Sequence, residues 1–382
     1  MDPLAPSPSP DPRLLACLAL VARERASDLF LMAGAAPTIK RQGTFIPIAQ
    51  QVLSAYDVRQ MACSILREAQ RKEFEATMEC DLSLQTADGE RFRVNVHMQR
   101  GQVGMVIRHV IARIPTLEEL GLPPVLQRLA FLKGGLVLTV GSAGSGKTTT
   151  LAALLDHRNT HTGGHILTVE DPIEYLHSHK KSLVTQREVG LDTLSYDEAL
   201  RRAMREAPNV IMIGEIRDRA TMQHALHYAE SGHLCVSTLH ANNANQAVQR
   251  IVNFFPEDAH GQLLMDLSLN LRAMVSQRLL PKQDGKGRAA AVEIMLNTPL
   301  IADLIFKGEV AEVKEVMKKS RNLGMQTFDQ ALFDLFEAHV ITYEDALRNA
   351  DSVNDLRLQI KLGSQRAKSS DLAAGTEDFA IV

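Results

Sequence analysis

The run Gly141-Ser-Ala-Gly-Ser-Gly-Lys147-Thr148 holds glycines, a lysine and a hydroxyl at the spacing G-x-x-x-x-G-K-[ST]. Glycines let backbone N–H groups turn inward around phosphate oxygens, and a helix starting there adds the positive end of its dipole. Lys147 can then reach the β- and γ-phosphates of a nucleoside triphosphate, and the Thr148 hydroxyl can ligate Mg²⁺. The candidate nucleotide contacts are Gly141, Ser142, Ala143, Gly144, Ser145, Gly146, Lys147, Thr148 and Thr149.

Three further groups sit where apolar runs end. The run 165–169 leads into Glu170-Asp171-Pro172-Ile173-Glu174, 209–213 into Gly214-Glu215, and 234–238 into Leu239-His240. In an open α/β sheet, ligands bind beyond the carboxyl ends of the strands, so these groups are expected in one crevice with the phosphate loop. Glu215 follows four apolar residues, the place of an acid that organises Mg²⁺ or its water shell. Glu170 and Glu174 are both candidates for activating the attacking water, and spacing does not choose between them. His240 can sense the γ-phosphate. A shared metal with His233 is excluded, because seven strand residues at about 3.3 Å each separate them by roughly 23 Å. Arg201, Arg202 and Arg205 read as the solvated face of a capped helix starting at Ser195. Arg91, Arg93, Arg108 and Arg113, on strands far earlier in the chain, are candidate fingers acting on a neighbouring subunit's nucleotide.

The elements that must carry these groups alternate strand and helix from Gly134 to about Asn297, the pattern of a mostly parallel sheet. The strand Gly135–Val140 before the loop and the helix-forming run after it are the context the loop requires. Upstream, a helix through about Arg25 and strands at 27–32, 37–41, 45–48, 81–85, 91–97 and 104–113, with a helix over 54–69, describe a small α+β domain. The expected organisation is a disordered Pro/Ser-rich leader 1–12, the α+β domain 13–113, a linker 114–124, the α/β domain 125–297, a helical region 298–362 and a solvated tail 363–382. The net charge of −3, the lack of tryptophan and 4% aromatic residues argue against nucleic-acid binding, whose surfaces are basic and carry stacking rings. Four cysteines without C-x-x-C spacing indicate neither a zinc ribbon nor a disulfide framework. The apolar run 14–22 is too short to span a bilayer, so cytoplasmic residence is expected.

Val169-Glu-Asp-Pro-Ile-Glu-Tyr175, Ile213-Gly-Glu-Ile-Arg-Asp218 and Ser231-Gly-His-Leu-Cys-Val-Ser-Thr-Leu-His240 resemble the Asp box, Walker B and His box of the secretion ATPase superfamily. Arg91-Phe-Arg-Val-Asn95 and Leu117-Glu-Glu-Leu-Gly121 resemble its type IV pilus retraction branch, the PilT/PilU family. The resemblance covers residues 20–362. It implies a PAS-like N-terminal α+β domain, a RecA-like P-loop ATPase domain with C-terminal helices, and six subunits in a ring. The implied activity is ATP hydrolysis to ADP, with Mg²⁺, driving pilus retraction and twitching motility from the cytoplasmic face of the inner membrane. The implied partners are a PilT-type ATPase and an inner-membrane platform protein. It assigns Glu174 as the catalytic glutamate, beside Lys147 and His240. Glu215 goes to Walker B with Thr148 at the metal, and Arg93, Arg108 and Arg113 to contacts between subunits.

The chain departs from the family at Ala143, where threonine is commoner, and at Leu300-Ile-Ala-Asp-Leu-Ile-Phe-Lys307, where Ala302 and Phe306 replace two arginines of the retraction motif. The stretch from 323 to 359 resembles the accessory PilU branch. Two other readings follow: an ATP-binding ring component that couples to a PilT motor, and a pilus-assembly or type II secretion ATPase. Against the latter, the chain lacks a tetracysteine element.

Overall fold

The computed structural model describes residues 10–41, 43–110 and 113–366. Most of the expected leader and tail lies outside these residues. The chain divides into two compact units between Arg113 and Ile114.

The first unit contains α1 (Pro12–Arg23), β1 (Asp28–Met32), β2 (Thr38–Arg41), β3 (Thr44–Pro47), α2 (Ala55–Cys63), α3 (Glu68–Thr77), β4 (Glu79–Gln85), β5 (Arg91–Gln99) and β6 (Gln102–Val110). Its strands form one antiparallel sheet in the order β3-β2-β1-β6-β5-β4. Alternation puts Leu29, Leu31, Val94, Val96, Met105 and Ile107 on one face, where they pack with Leu14, Leu18, Val58 and Met61 of the helices. Arg93 and Arg108 fall on the opposite face, paired in register. One helix over 54–69 is not what forms. Ser54 caps α2 through a box with Asp57, but the helix stops at Cys63, and α3 starts afresh at Glu68. No residue of α3 is buried, so it presents no apolar stripe to read.

The second unit contains α4 (Val125–Ala130), β7 (Gly135–Val140), α5 (Lys147–His161), β8 (Gly164–Glu170), β9 (Ser182–Glu188), α6 (Tyr196–Ala203), β10 (Val210–Ile213), α7 (Arg219–Glu230), β11 (Leu234–Leu239), α8 (Ala244–Val252), α9 (His260–Asn270), β12 (Leu271–Pro281) and β13 (Arg288–Leu296). These are followed by α10 (Pro299–Lys307), α11 (Val313–Lys319), α12 (Phe328–Glu337), α13 (Tyr343–Arg348) and α14 (Val353–Gly363). The sheet order is β13-β12-β7-β11-β10-β8-β9, parallel except for β13 against β12. β7, β10 and β11 are buried at every position, as strands covered on both faces must be. Leu151, Leu154 and Leu155 of α5 pack with Leu126 on one face, and helices α6 to α11 pack on the other. Leu117 and Leu122, from the stretch before α4, are buried in the α5-side core. After α14, the Ser364 hydroxyl donates to Glu337 at 2.6 Å, and Arg366 bonds the Ile341 carbonyl at 3.1 Å. Among the described residues no helix is long and apolar enough to cross a membrane.

Candidate nucleotide site

Because β7, β8, β10 and β11 run parallel in register, with Val140 beside Leu239 and Ile213 beside Val169, their carboxyl ends open on one edge of the sheet. The loop after β7 turns through Gly144 and Gly146, whose φ angles of +75° and +93° suit glycine. A Cβ on Gly146 would also stand 3.0 Å from the Gln277 amide nitrogen of β12. Gln277 accepts from the Thr150 hydroxyl at 2.8 Å, tying β12 to the first turn of α5.

Lys147 is the first residue of α5 and is 7% exposed. Its ammonium donates to the Gly141 and Ser142 carbonyls at 2.8 and 2.9 Å, so it lies along the loop. Burial lowers its pKa, while Glu215 and Glu174 act in the opposite direction. The Ser145 hydroxyl is buried with no hydrogen-bond partner among the described residues, a polar atom the loop leaves for a ligand to satisfy. Polar cavities of about 400 and 290 Å³ flank the loop. Ser142, His240 and Arg250 line the first, and Ser145, Gln277 and Arg288 the second. The loop thus fits a phosphate chain.

Glu215 is held at both oxygens. His240 Nε2 lies 3.0 Å from Oε1, and Arg217 Nε donates to Oε2 at 2.8 Å. Arg217 also lies 3.6 Å from Asp171. Burial, and the nearby Lys147 cation, lower the His240 pKa against the pull of Glu215. Because the carboxylate can only accept, His240 Nε2 carries the hydrogen of this bond. The preceding residue must be small, since a Cβ on Gly214 would come within 2.9 Å of the Tyr196 hydroxyl and 3.3 Å of Glu170 Cα. Mg²⁺ takes few protein ligands and completes its octahedron with phosphates and water, so one carboxylate and one hydroxyl from the protein would suffice for it. No group of three or more His, Cys, Asp or Glu side chains among the described residues could hold a metal by itself.

The structure separates the two carboxylates that spacing leaves level. Glu170 is 4% exposed, accepts from the Thr168 hydroxyl at 2.7 Å and from Gln186 at 3.1 Å, and has its pKa pushed up by burial. Glu174 is exposed and, with Glu215, is a carboxylate whose charge reaches Lys147. The loop between them is braced by β9: Ile173 N donates to Glu188 at 3.2 Å, and Gln186 to the Tyr175 carbonyl at 2.9 Å. The hydroxyls of Tyr175 and Thr149 lie 2.8 Å apart. Sequence reasoning missed Gln186, Glu188, Arg217 and Gln277. Three of these lie on strands it did not assign, and Arg217 stands two residues from Glu215 in the motif it did read.

Among the arginine candidates, Arg108 pairs with Asp28 at 3.0 Å and stands beside Arg93 in the sheet of the first unit. Arg113 closes that unit. Arg201 and Arg202 are exposed on α6 and engage Asp197 and Glu198, as a solvated face would.

A family model described as "Type II/IV secretion system protein" matches residues 105–327. The chain is similar to the type IV pilus ATPase PilU of Pseudomonas aeruginosa, at 55% identity over 348 residues, covering 91% of each chain. It is 43% identical over 333 residues to the type IV pilus retraction ATPase PilT of the same organism, covering 87% of this chain and 96% of PilT. Among solved structures, the pilus retraction motor PilT with bound ADP superposes with a TM-score of 0.85 at 39% identity, over 90% of this chain and 99% of that one.

Proposed function

The chain belongs to the Type II/IV secretion system protein family, among the ATPases of type IV pilus retraction, and from that premise we propose how its residues divide the work. Glycines 141, 144 and 146 turn the loop around the phosphates of ATP, and Lys147 leaves the loop carbonyls to meet the β- and γ-oxygens. Thr148 and Glu215 would hold Mg²⁺, which when bound would supply positive charge against the phosphates. Glu174 orients the attacking water and takes its proton as the γ-phosphoryl bond breaks. His240, through Glu215, reports whether the γ-phosphate is present. The observation that carries the Glu174 assignment is the partition of charge around Lys147: Glu215 and Glu174 act on it, while Glu170 is buried and engaged elsewhere.

The same reading makes the working form a hexamer in which Arg93, Arg108 or Arg113 serves a neighbour's nucleotide. The ring would sit at the cytoplasmic face of the inner membrane, against the platform protein and a PilT-type ATPase. The accessory reading is favoured by α10, where Phe306 is exposed in place of an arginine of the retraction motif.

The test is steady-state ATPase activity of the purified chain with Mg²⁺, against Glu174→Gln and Lys147→Ala. Wild type is expected to turn over, and each variant to lose roughly 10²-fold or more. A wild type that binds ATP but is as inert as the variants would leave only the accessory reading.

A further inference from the structure

We propose that Glu293, a carboxyl outside the catalytic scheme, is a positioning residue that clamps the first turn of α8 to β12 and so sets residues 240–242 against the phosphate loop. Glu293 lies in β13 and is 2% exposed. One of its oxygens accepts from Ala244 N at 2.8 Å and from the Ser276 hydroxyl at 3.0 Å. Ala244 opens α8, and Asn243 caps the same turn by accepting from Gln246 N at 2.9 Å. Residues 240–243 join β11 to this helix, too short a link for His240 and Asn242 to move independently of its first turn. On the other side, Ser276 pairs with Val140, the last residue before the phosphate loop, and its neighbour Gln277 holds Thr150. One oxygen therefore joins the segment carrying His240 to the strand that flanks the loop.

The clamp needs charge. An ionised carboxylate makes a stronger bond to an amide N–H than a neutral group does, and it complements the positive end of a helix. Its neighbours on β12 and α8 are neutral donors. The charged groups that act on it are Asp351, which raises its pKa, and Lys314, which lowers it. Burial, the largest effect, pushes Glu293 up to about 7. The sign follows. A carboxyl raised above its unfolded value favours the fold fully below that value and loses the contribution as pH rises through about 7. The ionised form that clamps α8 is thus the form that costs stability, so stability and turnover respond to Glu293 in opposite senses.

The inference rests on the assignment of residues 141–148 as the ATP site. The experiment compares the full chain with Glu293→Gln from pH 6 to 8 by ATPase kinetics and calorimetry. At pH 8 the variant should melt no lower than wild type, yet lose about tenfold in kcat with KM for ATP within about twofold, as a shifted but intact site would. Wild-type kcat should fall between pH 8 and 6, and the variant's profile should be flatter. A variant with wild-type kcat and pH profile overturns the proposal, whatever its Tm. If it does not fold, Ala244 amide protection in wild type reads the clamp directly: protection at pH 8 that weakens at pH 6 supports it, and pH-independent protection overturns it. That readout also separates the two failures, since a wild type that binds no ATP defeats the ATP-site reading while Ala244 still reports on Glu293.

Discussion

At the scale of residues, the carboxylate with most demands on it is Glu215, held at one oxygen by His240 and at the other by Arg217. Two donors fix the plane of the carboxylate proposed above to face the metal's water shell, and for that role fixed orientation matters more than pair strength. Arg217 is 56% exposed, so its ion pair stabilises the fold by about 0–1 kcal/mol at most. Arg217→Ala should therefore leave Tm almost unchanged while lowering kcat about tenfold, because the acid gains rotational freedom. ATPase assays across a Mg²⁺ titration with parallel calorimetry would check this. A large fall in Tm with kcat intact would show that the pair is structural instead.

At the scale of elements, legibility followed punctuation. β7, β8, β10 and β11 are apolar runs that stop at a glycine, an acid or a histidine, so both the strands and their polar ends stood out. β9 reads Ser-Leu-Val-Thr-Gln-Arg-Glu, mostly polar because it is an edge strand, and its Gln186 and Glu188 are hidden with it. β12 was hidden differently: α9 ends at Asn270 and the strand begins at Leu271, with no glycine or proline between. Gln277 and Arg278 were hidden in turn. Arg278 is where the C-terminal helices attach. It donates to Asp351 at 2.7 Å and to the Asn349 carbonyl, and stacks 3.9 Å from the Phe328 ring, while Lys314 donates to the other Asp351 oxygen at 2.7 Å. Burial alone would raise the Asp351 carboxyl, but the bonds from Lys314 and Arg278 outweigh it and hold it below its usual value. Its contribution is therefore present above the unfolded carboxylate pKa and is lost as pH falls through the folded one. Asp351→Ala removes the acceptor shared by two partly exposed cations and should destabilise the second unit by about 1–3 kcal/mol at pH 7. Urea unfolding should show that deficit, and show it shrinking as pH falls below the unfolded carboxylate value of about 4 and through the lower folded one.

At the scale of the whole molecule, each hydrophobic core closes within one unit. The cluster around Leu29, Phe92 and Ile107 draws only on the first, and those around Leu136, Leu151 and Leu332 only on the second. Residues 114–366 should consequently fold alone and bind a fluorescent ATP analogue, because the phosphate loop and all four strand ends lie within them. If Arg93, Arg108 or Arg113 completes a neighbour's site, the fragment should hydrolyse ATP at least about 10²-fold more slowly than the full chain. Equal rates would remove those arginines from the chemistry. The closed cores also have a meaning for descent. A crossover between residues 113 and 114 would split none of these four cores, so recombination between related genes could exchange the leading α+β half while passing on the motor's interior intact. The two halves of such a chain are free to carry different ancestries.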